Sequence, residues 1–97
     1  MKLIALYSQP ADPAAFDEWY FNQHVPLVHN ISGLKSASIT KFSRTLAGDG
    51  FYLMAVMDFG DADTFKAAMR SPEMGAVGAD AQAHASDIMT LMIGADQ

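Results

Sequence analysis

The chain contains no cysteine. Disulfide scaffolds, thiolate metal sites and cysteine nucleophiles are therefore excluded. Charge is also scarce, at 18% of residues, and positive charge scarcer still: six lysines and arginines stand against eleven aspartates and glutamates, a net of −5. No basic run occurs, and an acidic surface repels phosphate backbones, so neither nucleic acid nor an anionic membrane is expected as a partner. Long hydrophobic runs are missing too. The opening KLIALY is too short for a signal-peptide core, and the run from Phe51 to Met57 falls far short of the ~20 residues that span a bilayer. These absences lead to the expectation of a cytoplasmic protein.

What the chain does have is apolar surface: 51% of its residues are hydrophobic. Its 97 residues make a single domain, 1–97, globular rather than disordered. A domain of this size buries somewhat over 60% of the surface its unfolded chain exposes. The apolar excess implies surface meant for another chain.

Leu3 to Tyr7 reads as a buried strand. Asp12 is an N-cap with Pro13 at the first helical position, and a helix runs from about Pro13 to His24. On a turn of ~100° per residue, Phe16, Tyr20, Gln23 and Leu27 share a face, with Trp19 and His24 flanking it on opposite sides. Val25 precedes Pro26 and is biased away from helical angles. Leu34 to Arg44 alternates loosely as a strand, AGDG at 47–50 marks a hairpin loop, and Phe51 to Phe59 is the clearest strand. Asp61 to Met69 is a short helix. Ser71 and Pro72 cap and open another, reaching about Ala85. Ile88 to Ile93 is the last strand. The order β-α-β-β-α-β is the ferredoxin-like pattern, an α+β fold with a four-stranded antiparallel sheet.

Both crossovers in this topology are right-handed, so both helical segments cover one face of the sheet. Yet three strands are apolar on both faces. Phe51, Leu53, Ala55 and Met57 alternate with Tyr52, Met54 and Val56. An uncovered face of roughly five to seven large side chains, at ~1.5–3 kcal/mol each, forfeits on the order of 10 kcal/mol, comparable with a whole domain's net stability. Antiparallel sheets with a wet face alternate apolar with polar residues. The bare face is therefore expected to pack on a second copy, as a two-fold homodimer.

The chemistry-bearing candidates gather in WYFNQHVPLVHN, residues 19–30. His24 has two readings. It is a histidine favoured by a helix C-terminus, or it projects into a small-molecule cleft as an acid–base group with Tyr20 as its hydrogen-bonding partner. On the second reading the cleft lies between the first helix and the sheet, and Trp19, Leu6 and Val56 bind substrate. Aromatics at helical spacing are also ordinary core. A dimer with a filled core would leave no cavity of even ~300 Å³ beside His24. His24, His29 and His84 share no metal-ligand spacing, so no metal is expected. Asp58, Asp61, Asp63 and Asp80 give no general base. No serine stands in a nucleophile elbow, and no phosphate loop occurs.

FDEWYFNQHVPL resembles the signature of EthD-like proteins: an aromatic helix ending in a tyrosine, then histidine, one residue, proline and leucine. Ser71-Pro72-Glu73 followed by Ala79-Asp80 is similar too. The resemblance covers nearly the whole chain. It implies a dimeric α/β barrel, two ferredoxin-like sheets face to face. It also implies work in the oxidative degradation of small organic molecules, among folds that include cofactor-free monooxygenases and lactone isomerases. His24 and Tyr20 take the functional roles, with Pro26 and Leu27 structural. His84 departs from a position where relatives carry an aromatic. The expected function is thus a cofactor-independent oxidoreductase or isomerase acting on an apolar or aromatic oxygen-bearing compound. The alternative is a non-catalytic ligand-binding accessory protein of an oxygenase system.

Overall fold

The computed structural model describes residues 1–97. Strands β1 (Lys2–Tyr7), β2 (Ser36–Lys41), β3 (Leu53–Asp58) and β4 (Met89–Gly94) form one antiparallel sheet in the order β2-β3-β1-β4. Between them run α1 (Pro13–Trp19), a π-helical turn (Tyr20–His24), α2 (Val25–His29), α3 (Ala62–Met69) and α4 (Pro72–Ala85). This is the ferredoxin-like order expected from the sequence. The two hairpin strands are shorter than their apolar patterns suggest: Leu34 and Lys35 precede β2, and Phe51 and Tyr52 precede β3.

The helix starts follow from capping. Asp12 accepts from the Ala15 amide at 3.2 Å, Asp61 from Thr64 at 2.8 Å and Ser71 from Met74 at 3.1 Å. Prolines 13 and 72 sit where a missing N–H costs nothing. Asp17 ties α1 to the hairpin, accepting from Lys41 Nζ at 2.6 Å and from the Tyr52 hydroxyl at 2.8 Å.

Burial alternates strictly along the two central strands. Leu3, Ala5, Tyr7, Leu53, Ala55 and Met57 are buried beneath the helices, whereas Ile4, Leu6, Met54 and Val56 point the other way and are only half-buried. The pairing of Ile4 with Val56 and Met92, and of Leu6 with Met54 and Thr90, joins these outward side chains into one patch. Met92 is 43% exposed there. Ser36, Ser38 and Thr40 flank the patch on β2. No helix crosses this face. The molecule is a slab 19 Å at its thinnest, one sheet and one helical layer. Its surface of 5902 Å² exceeds the roughly 5400 Å² typical of a monomer of 10.5 kDa. On β4, Leu91 and Ile93 belong to the helical side but are only partly covered by it, at 50% and 57% exposure.

The first helix corrects a sequence expectation. Val25 is helical (φ −57°, ψ −44°) and the helix runs on to His29. Pro26 has no N–H to give and its ring crowds the carbonyl four residues back. The preceding turn opens instead of breaking: the Val25 amide bonds to the Tyr20 carbonyl, five residues earlier, and widened turns of this kind recur at functional sites.

Candidate functional site

The wide turn decides which side chains meet. In a regular α-helix, residues five apart diverge by about 140°, which would set Trp19 and His24 on opposite flanks. A turn that closes at five residues brings them onto one side. The structure shows this directly: the Trp19 and His24 rings lie 5.0 Å apart. Tyr20 stacks on His24 at 5.3 Å, and Phe16 stacks on Tyr20 at 5.5 Å. From beneath, Tyr7 of β1 meets Phe16 and Tyr20 edge-on at 5.3 and 5.4 Å. Tyr7 and Tyr20 are each 1% exposed and His24 is 4% exposed.

Asp80 of α4 organises the site. One carboxylate oxygen accepts from Trp19 Nε1 at 3.1 Å and from His24 Nδ1 at 2.9 Å; the other accepts from Gln23 Nε2 at 2.5 Å. Burial acts to raise the Asp80 pKa, but its hydrogen bonds to His24, Gln23 and Trp19 outweigh it and hold the carboxyl below its usual value. Burial lowers the His24 pKa and prevails over Asp80, whose hydrogen bond and charge act upward. The resting pair at neutral pH is a carboxylate and a neutral imidazole. An ionised carboxylate only accepts, so His24 Nδ1 carries the proton and Nε2 presents a lone pair. An acidic residue that fixes an imidazole in this tautomer is the arrangement of a general base.

His84 packs beside the pair. It stacks on Trp19 at 4.9 Å and donates from Nδ1 to the Asp80 carbonyl at 2.9 Å. His29 is exposed, and no three histidine, aspartate or glutamate side chains converge on a point that would hold a metal ion.

Two cavities adjoin His24 between the helices and the sheet. One, of about 20 Å³, is lined by Tyr7, Tyr20, Val28 and Ile39 among others; the second, of about 50 Å³, reaches Met74, Val77, Gly78 and Leu91. Ala5, Tyr7, His24 and Met57 wall both. Since a water needs roughly 10–15 Å³, these spaces hold from one to a few small atoms' worth of ligand, not the ~300 Å³ of a drug-sized site. A cavity of about 300 Å³ does exist, but on the outside, lined by Pro10, Asp12, Trp19, His84 and Asp87.

Sequence reasoning placed some of these side chains correctly and others not. Trp19, Tyr20 and His24 are brought together. Tyr20 stacks on His24 and does not hydrogen-bond to it; Asp80 is the bonding partner. Trp19 touches the His24 ring but lines the outer cavity. Leu6 and Val56 are not in the cleft: strand alternation turns both to the uncovered face, away from His24. Tyr7 was missed, and Asp80 was weighed only as a general base and set aside. Asp80 carried a signal, as an acid between the buried Val77 and Ala81 of α4. Tyr7 carried none beyond its strand parity.

The EthD domain family model matches residues 8–87. The chain belongs to the EthD family. A structure of an ethyl tert-butyl ether D (EthD) family protein from Bacillus halodurans is 45% identical, with a TM-score of 0.93 over 99% of this chain and 97% of that one. The "uncharacterized 11.0 kDa protein in thcB-thcC intergenic region" of Rhodococcus erythropolis is 36% identical across 94% of this chain and 89% of its own length. A dimeric ferredoxin-like protein of unknown function from Thermobifida fusca shares the fold at 20% identity, with a TM-score of 0.67 over 96% of this chain and 89% of that one. Within this EthD-family chain, the matched region takes in the π-turn, Asp80 and His84, and excludes Tyr7.

Proposed function

We propose that this EthD-family protein is a small-molecule enzyme in which His24 Nε2 takes and returns a proton, on an apolar or aromatic oxygen-bearing compound and with no cofactor required for that step. The observation that carries the reading is the buried Asp80–His24 pair, whose imidazole lines two small cavities with mostly apolar walls. Burial removes competing water, and a depressed pKa keeps the imidazole in its base form at neutral pH. The pair supplies a base, and the surrounding walls select an uncharged ligand. Proton abstraction of this kind opens either an isomerisation or the attack of a carbanion on oxygen.

The working unit is a homodimer formed through the uncovered sheet face, whose Ile4, Leu6, Met54, Val56 and Met92 make an apolar patch. The absence of cysteine and the acidic composition fit a cytoplasmic setting.

The test is a panel of neutral cyclic ketones, lactones and phenols offered to the wild type and to His24→Gln, followed both for turnover and for shifts of the His24 imidazole nitrogens. The reading expects at least one compound to move Nε2 and to be turned over by the wild type alone. A compound that moves Nε2 without ever being turned over would replace the enzyme with a binding protein. A panel that leaves Nε2 unmoved would overturn the reading altogether.

A further inference from the structure

Tyr7 and Tyr20 are phenols buried to 1% exposure, and neither hydroxyl has a hydrogen-bond partner within the protein. His24 Nε2 has none either. No sealed side-chain nitrogen or oxygen in this chain lacks a partner, so these three polar atoms are not sealed. Tyr7, Tyr20 and His24 together line the cavity of about 20 Å³, and Tyr7 and His24 also line the one of about 50 Å³. Left without water or ligand, each of these polar atoms would cost about 1–3 kcal/mol, so the space suits a group that can bond to all three.

Its chemistry can be read from the atoms presented. Two phenol hydroxyls offer donors and one imidazole nitrogen offers a lone pair. The remaining lining is Ala5, Met57, Val77, Ala81 and similar apolar side chains together with His29 at the smaller cavity, with no lysine, arginine or carboxylate among them. Burial pushes the Tyr7 pKa up to about 12 and raises that of Tyr20 further, so both remain protonated donors wherever the protein works. An ionised ligand would meet no counter-charge. A hydrocarbon would leave the donors unmet.

We propose that Tyr7, together with Tyr20, donates hydrogen bonds to a ligand's carbonyl oxygen opposite His24 Nε2, and that the substrate is a neutral, mainly apolar carbonyl compound bearing a proton on the adjacent carbon. This rests on the reading of His24 as the base. The step balances within the ligand and the side chains. Nε2 takes the proton from the carbon next to the carbonyl, and the C–H electron pair becomes the carbon–carbon double bond of an enolate. The carbonyl π pair moves to the oxygen, where Tyr7 and Tyr20 hold it. The imidazolium then gives a proton back: one first swapped with solvent and returned to the same carbon makes an exchange, one delivered to a conjugated carbon makes an isomerisation, and no oxidant is consumed.

The path in is legible as well. Gly78 of α4 lines the larger cavity, and a Cβ added there would meet nothing within 4 Å. Leu91 faces it from β4, half exposed at 50%. A gap between a side-chain-free turn of helix and an apolar strand edge is the route for an uncharged molecule, and a ligand larger than a few heavy atoms must part α4 from β4 to pass.

The experiment uses butanone, a small neutral ketone whose entry needs only a slight parting of α4 from β4. The full-length protein is incubated with butanone in deuterated buffer at pH 7.5, and loss of the protons next to the carbonyl is followed by proton NMR. The wild type is expected to exchange them faster than buffer, His24→Gln to abolish the gain, and Tyr7→Phe and Tyr20→Phe each to reduce it by about 10²-fold, the effect of losing one oxyanion donor. A hydroxyl without a protein partner is removed at little structural expense, so melting temperatures near wild type are expected for both tyrosine variants. Tyr7→Phe exchanging at the wild-type rate would overturn the donor role while leaving His24 as the base. A wild type no faster than buffer would overturn the enolate chemistry, and the imidazole shifts in the compound panel would still judge the base reading by themselves.

Discussion

Replacing Asp80 with asparagine removes one negative charge and keeps the shape. In the native site its carboxylate, 7% exposed, receives Trp19, His24 and Gln23. An amide offers one acceptor oxygen. Turned so that this oxygen keeps Trp19 and His24, its NH₂ faces only the exposed Gln23, whose own amide can turn to accept it. The cost is then the lost charge assistance, which leaves the Trp19 and His24 bonds roughly half as strong. Hydrogen bonds to a charged group contribute about 1.5–3 kcal/mol each, so halving two of them gives a loss of about 1.5–3 kcal/mol. In a domain near 100 residues, each kcal/mol moves the melting temperature by about 4–8 °C, so a fall of roughly 6–24 °C is expected. The assay is thermal unfolding by circular dichroism at pH 8 and one fixed protein concentration, since assembly makes the midpoint concentration-dependent. Asp87→Asn, at an exposed position, serves as the control and should stay within about 0.5 kcal/mol of wild type. A change in Asp80→Asn no larger than in that control would refute the reasoning, because it would mean that the three bonds hold nothing in place.

Other expectations follow from the same geometry. The His24 pKa is lower in the folded chain than its usual value near 6.5, so below about pH 6.5 the unfolded chain binds a proton that the folded one refuses. Stability should therefore fall on acidification from pH 6.5 downward, and urea midpoints at pH 8 and 5.5 should show a drop that His24→Gln lessens. Gly78→Ala adds a methyl group to open space and removes a glycine from mid-helix, so thermal unfolding should show a gain of up to about 1 kcal/mol, while the narrowed mouth slows butanone exchange. Val56→Lys puts a charge in the outward patch of the sheet, and light scattering at micromolar concentration should find a dimer in the wild type and a monomer in the variant. A wild-type monomer would mean that the apolar face is left in water.

The strands and their order were legible because KLIALY, LMAVMD and MTLMIG are each short apolar runs bounded by turn residues, and because Asp12, Asp61 and Ser71 announce their helices. What the pattern could not say was which apolar face the helices take. Leu6 and Val56 are as hydrophobic as Ala5 and Met57, and only the registered pairing of β1 with β3 assigns them outward. Trp19 and His24 were separated on paper because helical periodicity assumes a regular turn. Pro26 warned of a disturbance, yet nothing in its neighbours distinguishes a helix that stops from one that widens. Asp80 was underrated for a related reason. An acid on a helix of small residues looks solvated until the partner helix supplies three donors, and those come from residues more than fifty positions away.

The most direct test of the account is the protonation of His24 in the resting protein. Nitrogen-15 NMR of histidine-labelled protein at pH 7 distinguishes the two ring nitrogens and the charged form. The account predicts a neutral ring with the proton on Nδ1, bonded to Asp80, and a bare Nε2. A proton found on Nε2, or an imidazolium at that pH, would contradict it.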